Sequence, residues 1–427
     1  MKKVATFWSI IVLCIGLSMP ILAQSTSQNK IEINFLALSG DETALNGVIQ
    51  GFEAKYPGYS VKLELLPFDK LFQSLEVRLA SKDPSVDVFL VDAPVVANYS
   101  VKGYLAPLDG LVAPDAKGRI TSSALKASTF QNKLMVLPLN SSTVNLYYNK
   151  DIFAKKGIVP PPNDVNKRWT WEQVAEVAKK LTYTENGQKI YGMVFEQINR
   201  PYQLIPLGQS AGAKQLVSDD GLTSAGYTNS NAMIKGAQYY YDVYNTWKVS
   251  PKIAAEETSN YFTSGKVAMF IGGPWDIPTF KAAKLNFGFA PHPYFKGGAV
   301  VTPTGSWMVG VSSFSPRKEA AAKFVQYVGT EEGAQINFDL GGNLPCSIAV
   351  LNKIKADPKY QAFPDNAMQL AVYESMNTAV SRPQTPGYTE WQTVMEEAYG
   401  NIMNGTNPKK ALDDAVAEID AQLRKYK

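Results

Sequence analysis

Residues 31–92 read IEINFLALSGDETALNGVIQGFEAKYPG followed by YSVKLELLPFDKLFQSLEVRLASKDPSVDVFLVD. Three apolar runs in this stretch are short enough for buried strands, at 31–38, 61–65 and 86–91. The two segments between them, 43–56 and 69–80, have the apolar spacing of helices. Strands that alternate with helices form a parallel sheet with helices on its faces, so the stretch predicts an α/β fold with a doubly wound sheet.

The ends of these strands supply the first candidates for a binding site. Ligands of open α/β sheets gather outside the carboxyl ends of the strands. The residues just past the three strand ends are Asp41, Phe68 and Asp92. For Asp41 a structural role is an equal alternative, because Ser39 and Glu42 have the spacing of a helix capping box around it.

The amino terminus has the parts of a secretory signal. Lys2 and Lys3 precede an apolar run that is shorter than the ~20 residues of a membrane-spanning helix, and Ala23 stands before polar residues. We therefore predict a signal peptide of residues 1–23 and a periplasmic mature protein. Cys14 follows Leu13, where a lipid-anchoring motif needs a small residue, so no lipid anchor is expected.

Length and composition limit the possible functions. Removal of 23 of the 427 residues leaves 404, more than the ~250–300 at which a single core stops growing, so two lobes are expected. The mature chain has 40 basic and 38 acidic residues, so it lacks the excess of basic residues that is typical of a nucleic-acid-binding protein. Cys346 alone cannot form an internal disulfide, and with His292 as the single histidine we expect neither zinc nor any cofactor.

A second informative stretch is FTSGKVAMFIGGPW (262–275). A small turn leads into an apolar segment that is short enough for a buried strand, and the strand breaks at Gly-Gly-Pro just before Trp275. The pattern predicts a strand that ends at a loop and places the indole ring of Trp275 on that loop. Trp307 likewise follows Gly305 closely.

Six segments in order along the chain resemble the maltose- and trehalose-binding family, the sugar-binding proteins of bacterial import systems. They are GVIQGFEAKYPG (47–58), DVFLVD (87–92), LYYNKD (146–151), GGPW (272–275), GSW (305–307) and SRPQTP (381–386). Because they span nearly all of the mature chain, the resemblance is far more specific than any one motif.

The resemblance implies a periplasmic-binding-protein fold: two doubly wound α/β lobes joined by a hinge that the chain crosses three times. Lobe I would comprise residues 24–141 and 272–311, and lobe II residues 142–271 and 312–427. Carried over position by position, the resemblance implies eight ligand-binding residues: Asp41, Glu42, Phe68, Asp92, Ser142, Trp275, Trp307 and Arg382. Asp41 is shorter than the acid that the trehalose- and maltose-binding branch carries there.

These residue types suit a sugar. Carboxylates and a guanidinium form paired hydrogen bonds with hydroxyls, and an indole covers the apolar face of a pyranose. The predicted function is capture of a sugar, a disaccharide such as trehalose or maltose, by a monomeric subunit of an ABC transporter. The protein would deliver the sugar to an inner-membrane permease and would not be an enzyme. Replacing Asp92 or Arg382 is expected to weaken binding and leave the melting temperature unchanged.

Several alternatives remain open. Trp275 and Trp307 are also compatible with core packing, and Arg382 with a surface turn before Pro383. A secreted glycosidase would need two carboxylates some 5–10 Å apart, and 38 acidic residues make such pairs unavoidable. A ferric-iron-binding protein of the same fold would use adjacent tyrosines, of which the chain has 147–148 and 239–241.

Overall fold

The computed structural model describes residues 1, 30–305 and 307–427, without the side chains of Phe68, Asp69 and Glu331. The predicted signal peptide, its cleavage after Ala23 and the environment of Cys14 lie outside the described residues. None of the described helices is long and apolar enough to cross a membrane.

The helices and strands of the first half of the chain are, in order, β1 (Ile31–Leu38), α1 (Glu42–Lys55), β2 (Tyr59–Leu66), α2 (Phe68–Ala80), β3 (Val88–Asp92), α3 (Val96–Val101), α4 (Ser122–Ser128), β4 (Thr129–Phe130), β5 (Lys133–Leu134), β6 (Val136–Pro138), β7 (Asn145–Asn149), α5 (Lys150–Lys155), α6 (Trp171–Lys180), β8 (Tyr183–Glu185), β9 (Gln188–Phe195) and α7 (Pro201–Ser210).

Those of the second half are α8 (Asn231–Tyr241), α9 (Thr258–Thr263), β10 (Val267–Gly272), α10 (Ile277–Ala282), β11 (Phe287–Ala290), β12 (Thr302–Thr304), β13 (Trp307–Val311), α11 (Lys318–Gly329), α12 (Glu331–Gly341), α13 (Ile348–Ala356), α14 (Ala367–Asn377), β14 (Ala379–Ser381), α15 (Tyr388–Met403) and α16 (Pro408–Leu423).

The first sheet has the strand order β2-β1-β3-β13-β6. β1 pairs in parallel with both β2 and β3, which confirms the alternating strand and helix pattern predicted for residues 31–92. β13 runs antiparallel to β3 and places Trp307 opposite Asp92. The sheet therefore brings two predicted site residues side by side at one edge.

The second sheet has the order β11-β7-β10-β9-β8. β10 is the apolar run before Gly-Gly-Pro, and all of its residues are buried. It pairs in parallel with β9 and antiparallel with β7, so it lies inside this sheet. Two α/β lobes, each around one sheet, confirm the predicted fold.

The chain passes between the lobes three times. It leaves the first sheet between β6 and β7, returns between β11 and β13, and leaves again through α13, α14 and β14 to α15, which packs on α7, α8 and α16. The short parallel pair of β12 and β14 lies within these connections.

The division between the sheets differs from the predicted lobe boundaries. The prediction places residues 272–311 in lobe I, but β11 pairs with β7 in the second sheet, and Phe280 and Phe287 pack there against Tyr147. It places residues 312–427 in lobe II, but α11 packs on β6 and β13, and α12 on α1. An apolar run has the same local pattern in either sheet, so the sequence did not reveal which one it joins.

Close helix packing explains two glycines of the first lobe. A Cβ at Gly47 would lie 2.2 Å from Cδ1 of Leu340, and one at Gly51 would lie 2.5 Å from the hydroxyl of Tyr327. Both would overlap with neighbours on α11 and α12. Glycine at positions 47 and 51 therefore lets α1 approach these two helices closely.

A buried ion pair ties the connections to the second lobe. The Nη1 atom of Arg168 lies 2.6 Å from Oε1 of Glu374, a residue of α14, and both side chains are almost inaccessible to water. The hydroxyl of Thr302 on β12 donates to the other Glu374 oxygen at 2.9 Å. Such additional hydrogen bonds offset the cost of burying the charges.

Candidate functional site

The edges of the two sheets that face each other enclose a cavity of about 500 Å³. Six of the eight predicted site residues line it: Asp41, Asp92, Ser142, Trp275, Trp307 and Arg382. The other lining residues are Asn140, Ser141, Gln197, Arg200, Pro201, Tyr202, Gly305, Asn343, Gln392 and Glu396. The cavity thus collects side chains from both lobes and from the segments that join them.

Asp92 and Arg382 form a two-pronged ion pair in the cavity wall. Nη2 of Arg382 donates to Oδ1 of Asp92 at 2.6 Å, and Nη1 donates to Oδ2 at 3.0 Å. Burial alone would lower the pKa of the guanidinium, but the charge of Asp92 and the hydroxyl of Tyr388 together act in the opposite direction, and the pKa is raised overall. Because the side chains are only 17% and 12% exposed, the pair is largely desolvated.

Two tyrosine rings flank this guanidinium. Its central carbon lies 5.5 Å from the ring centre of Tyr202 and 5.6 Å from that of Tyr388. The Tyr388 hydroxyl also accepts from Nη1 at 3.3 Å. The Nε atom of Arg382 is buried and makes no hydrogen bond within the described part of the chain. Arg382 is therefore fixed in its place and is not a loose residue of a surface turn.

Ser142 connects the cavity wall to the second lobe. Its hydroxyl lies 2.8 Å from that of Tyr202, and its oxygen also accepts from the backbone N–H of Gly305 at 2.9 Å. A Cβ at Gly305 would come within 3.2 to 3.3 Å of Arg382, Ser142 and Tyr202. Glycine at 305 therefore lets these three polar groups approach one another.

Trp307 is fixed by its backbone. Its N–H donates to Oδ1 of Asn140 at 3.0 Å, and its carbonyl accepts from the N–H of Leu139 at 2.8 Å. Its indole lies 6.2 Å from the ring of Phe72, and the residue is half-buried. Trp307 thus combines packing on one side with a place in the cavity lining.

Trp275 stands on the opposite wall, at the turn after β10. The residue is 39% exposed, which places it outside the core. A Cβ at Gly273 would lie 2.0 to 2.2 Å from three ring carbons of Trp275, so the indole rests directly on this glycine. The indole Nε1 donates to Oε1 of Glu196 at 3.0 Å. The Gly-Gly-Pro-Trp motif therefore provides the space that the indole occupies.

Two carboxylates lie behind this tryptophan. Burial raises the pKa of Glu196, and the charge of Asp276 raises it further. Burial likewise raises the pKa of Asp276, whose Oδ1 accepts from the hydroxyl of Ser259 at 2.8 Å. The second oxygen of Asp276 is buried and has no hydrogen-bond partner among residues 30–305 and 307–427.

The remaining predicted residues differ in their placement. Asp41 is the N-cap residue of α1 without a side-chain capping bond, so the capping box of Ser39 and Glu42 does not form; its Oδ1 accepts from Asn343 at 3.4 Å. Glu42 is exposed and is not among the described residues that line the cavity, because the first turn of α1 directs it to solvent. The side chain of Phe68 lies outside the described part.

Sequence reasoning missed most of the lining from the second lobe. Tyr202 and Arg200 flank Pro201 at the start of α7, a helix start that was readable as Pro at the first position. Gln392 and Glu396 lie one turn apart on α15 and are joined by a 3.0 Å hydrogen bond. Polar residues on an amphipathic helix usually face water, so nothing in the sequence marked these two.

The tyrosines considered for iron lie away from this cavity. Tyr147 packs against Phe270 and Phe280 in the second lobe, and Tyr240 against Tyr244 and Tyr399. Within residues 30–305 and 307–427, no group of three His, Cys, Asp or Glu side chains could hold a metal ion. Tyr147 and Tyr240 therefore pack in aromatic clusters of the second lobe.

Two α/β lobes with a polar and aromatic cavity between them define a periplasmic-binding-protein fold. Residues 38–335 match the model of the bacterial extracellular solute-binding proteins. This match covers well over half of the chain, which therefore belongs to that family.

Similar proteins of this family have known or assigned ligands. The galactooligosaccharide-binding protein of Bacillus subtilis is 23% identical over 435 residues, which cover 99% of this chain and 98% of that protein. An ABC substrate-binding protein of Listeria monocytogenes, solved with cycloalternan, is 25% identical with a TM-score of 0.78 over 92% and 99% of the two chains. A solute-binding protein of Thermotoga lettingae, solved with α-D-tagatose, is 26% identical with a TM-score of 0.74 over 92% and 100%.

Proposed function

We propose that this protein captures a carbohydrate in the cavity between its lobes and delivers it to an ABC permease of the inner membrane. The observation that carries the proposal is the cavity itself, where Trp275 and Trp307 line the space together with the ion pair of Asp92 and Arg382. This combination meets the two needs of a sugar, which has an apolar face and a rim of hydroxyls.

The polar groups of the cavity match hydroxyl chemistry. A hydroxyl both donates and accepts, and carboxylate and guanidinium groups bind it at fixed angles. In the ion pair each Asp92 oxygen already accepts one hydrogen bond and keeps a free lone pair that can accept from a sugar hydroxyl. The pair is thus a rigid acceptor whose geometry does not need to be organised when sugar binds, which lowers the entropic cost of binding.

The two tryptophans supply the apolar part of the affinity. An indole stacked on a sugar adds roughly 0.5–1.5 kcal/mol beyond area burial. Micromolar affinity corresponds to about −8 kcal/mol, which two such contacts and several hydrogen bonds reach after ordering costs. The cavity of about 500 Å³ lies within the usual range of small-molecule sites.

The ligands of relatives guide the choice of sugar. Those named for the Bacillus, Listeria and Thermotoga proteins are galactooligosaccharide, cycloalternan and tagatose, all carbohydrates. We propose an oligosaccharide as the ligand, a disaccharide such as trehalose or maltose being the first to test. The protein would act as a monomer in the periplasm, with its signal peptide removed near Ala23.

A thermal-shift screen tests the proposal. The mature protein is melted with maltose, trehalose, maltotriose, galactooligosaccharides and tagatose, and with glycine betaine as a ligand of another class. Ligand at 100 times its dissociation constant adds about 2.7 kcal/mol of stability, which is readily seen. Stabilisation by a carbohydrate, lost in Trp275→Ala, is the expected result. A protein that no carbohydrate stabilises would refute the proposal.

Catalysis is the second function to test. Glu196 has the raised pKa of a general acid, but its oxygens already accept from Trp275 and Gln203. We propose that the protein binds its sugar without cleaving it. Incubation with the stabilising oligosaccharide should release no monosaccharide, and release that Glu196→Gln abolishes would identify a glycosidase.

A further inference from the structure

The Trp275 indole donates a hydrogen bond to a carboxylate of the second lobe. Trp275 lies on the turn after β10, and Glu196 directly follows the neighbouring strand β9. The backbone N–H of Glu196 donates to the carbonyl of Ile271 at 2.9 Å, which extends the pairing of the two strands. This fixed backbone holds the Glu196 carboxylate 3.0 Å from the indole Nε1.

Glu196 is held in turn by a glutamine of α7. Its Oε2 accepts from Nε2 of Gln203 at 2.7 Å, while Oε1 of Gln203 accepts from the backbone N–H of Gln197 at 3.1 Å. The amide of Gln203 therefore cannot turn over without losing that second bond. Both oxygens of Glu196 accept hydrogen bonds, the pattern of a carboxylate that carries its negative charge.

Charged and titratable groups of several elements face this carboxylate. Asp276 after β10 is a like charge that raises the pKa of Glu196, whereas Arg200 before α7 acts in the opposite direction. Tyr147 on β7 and Tyr202 on α7 are also close, but burial raises the pKa of both hydroxyls and keeps them uncharged. Glu196 and Asp276 therefore both have raised pKa values beside Trp275, and of the two it is Glu196 that accepts the hydrogen bond of the indole.

We propose that Glu196 is a positioning residue that fixes the Trp275 indole as a flat wall of the cavity, and that it releases the indole when its carboxylate takes up a proton. A protonated carboxyl must use one oxygen as a donor, and neither Trp275 nor Gln203 offers an acceptor to it. A neutral carboxyl is also the weaker acceptor, since hydrogen bonds to an ionised group are roughly twice as strong.

The consequence for binding rests on the proposed function. If Trp275 stacks on a sugar, a loosened indole has to be ordered again when the sugar binds. The affinity should then fall by roughly three- to tenfold as pH drops through the titration of Glu196, a range set by the difference between charged and neutral hydrogen bonds.

A ligand-free experiment tests the positioning itself. The protein is labelled with ¹⁵N in its indole groups, and the Trp275 resonance is assigned by its loss in Trp275→Phe. Its shift is then followed from pH 5 to pH 9. We expect a titration with a midpoint above the ordinary value for a glutamate, about 4.3. Glu196→Gln should abolish the contribution of Glu196 to this titration, because the amide keeps the shape and does not ionise between pH 5 and pH 9.

Asp276→Asn is the matched control. It removes the neighbouring charge but retains an oxygen for Ser259 and leaves the contact of Glu196 with Trp275 intact. The titration should persist in this variant and move to lower pH, since the repulsion that raises the pKa of Glu196 is gone. A merely structural role of Glu196 would not produce this shift.

The binding arm uses calorimetry with maltotriose at pH 6 and pH 8. The expected result is a pH-dependent affinity in wild type that is lost in Glu196→Gln. A Trp275 resonance that titrates alike in wild type and Glu196→Gln, or does not titrate at all, would overturn the proposal. If maltotriose fails to bind at either pH, that choice of sugar fails, and the resonance still decides the role of Glu196.

Discussion

Replacing Asp92 by alanine should destabilise the unliganded protein as well as weaken sugar binding. From the sequence alone, Asp92 and Arg382 are expected to act only on the ligand and to leave the melting temperature unchanged. The structure joins them in a two-pronged ion pair whose side chains are 17% and 12% exposed. Asp92→Ala therefore leaves the Arg382 guanidinium in the wall of the cavity without its carboxylate.

The magnitude follows from the burial of the pair. Removing one partner of a fully buried ion pair costs about 3–5 kcal/mol, because the other charge remains without compensation. Water in the cavity reaches part of both groups, so we expect about 2–4 kcal/mol. For units of ~200 residues this lowers the melting temperature by roughly 4–16 °C, at about 2–4 °C per kcal/mol.

Denaturant unfolding and thermal melts of four proteins measure this effect: wild type, Asp92→Ala, Arg382→Met and the double variant. The double variant should be less destabilised than the sum of the two single variants by at least about 1 kcal/mol, since it leaves no unpaired charge. Asp92→Asn serves as a control that retains the shape. Melting of Asp92→Ala within about 1 °C of wild type, together with additive effects, would refute the reasoning.

Three further predictions concern the wall around Trp275. Trp275→Ala should weaken binding of the stabilising sugar by about 2–4 kcal/mol in calorimetry. Trp275→Phe should recover part of this loss, because a ring face remains. If wild type and Trp275→Ala bind the sugar with equal affinity, Trp275 is not part of the site. Gly273→Ala should weaken binding almost as much because its Cβ displaces the indole, whereas Gly58→Ala, whose Cβ meets nothing within 4 Å, should bind like wild type. For Glu196→Gln, the free energy of unfolding relative to wild type should rise with pH, as measured by denaturant unfolding between pH 5 and pH 9. The pKa of Glu196 is raised in the folded state, so protonation of Glu196 stabilises wild type at low pH, and this stability is lost as pH rises. A difference in the free energy of unfolding that stays constant with pH would contradict the raised pKa.

We also predict that the two lobes close when the sugar binds. A ligand that touches both walls favours the closed arrangement, because neither lobe alone makes all of its contacts. Small-angle scattering should therefore give a smaller radius of gyration with saturating sugar than without it. An unchanged radius for a sugar that binds tightly would show that capture occurs without closure.

Much of the first sheet was predictable because its pattern is local. In residues 31–92 the spacing of apolar residues predicts each strand and helix from residues that are close in sequence. The observed helices and strands follow this prediction closely. The same stretch placed Asp41 and Asp92 at strand ends, and both line the cavity. The Gly-Gly-Pro-Trp motif similarly predicted an exposed aromatic residue, because a strand that ends at Gly-Gly-Pro leaves the following residue on a loop.

Other features depended on contacts between distant parts of the chain. Asp92 and Arg382 are 290 positions apart, and Glu196 and Trp275 are 79 apart. With 42 basic and 38 acidic residues, the number of possible ion pairs is too large for composition to select the real one. Strand pairing likewise places β11 in the second lobe, and helix packing places α11 in the first lobe.

The alternation of strands and helices and the kinds of residue at the site could be read from the chain because each depends on near neighbours, and the expectation of two lobes followed from its length. The folded packing was needed to show that Arg382 is paired with Asp92, that Glu42 is exposed to solvent, and that Glu196 accepts the hydrogen bond of the Trp275 indole. These outcomes depend on which surfaces meet when the sheets pack, and that arrangement sets the burial, the partners and the pKa of every group between them.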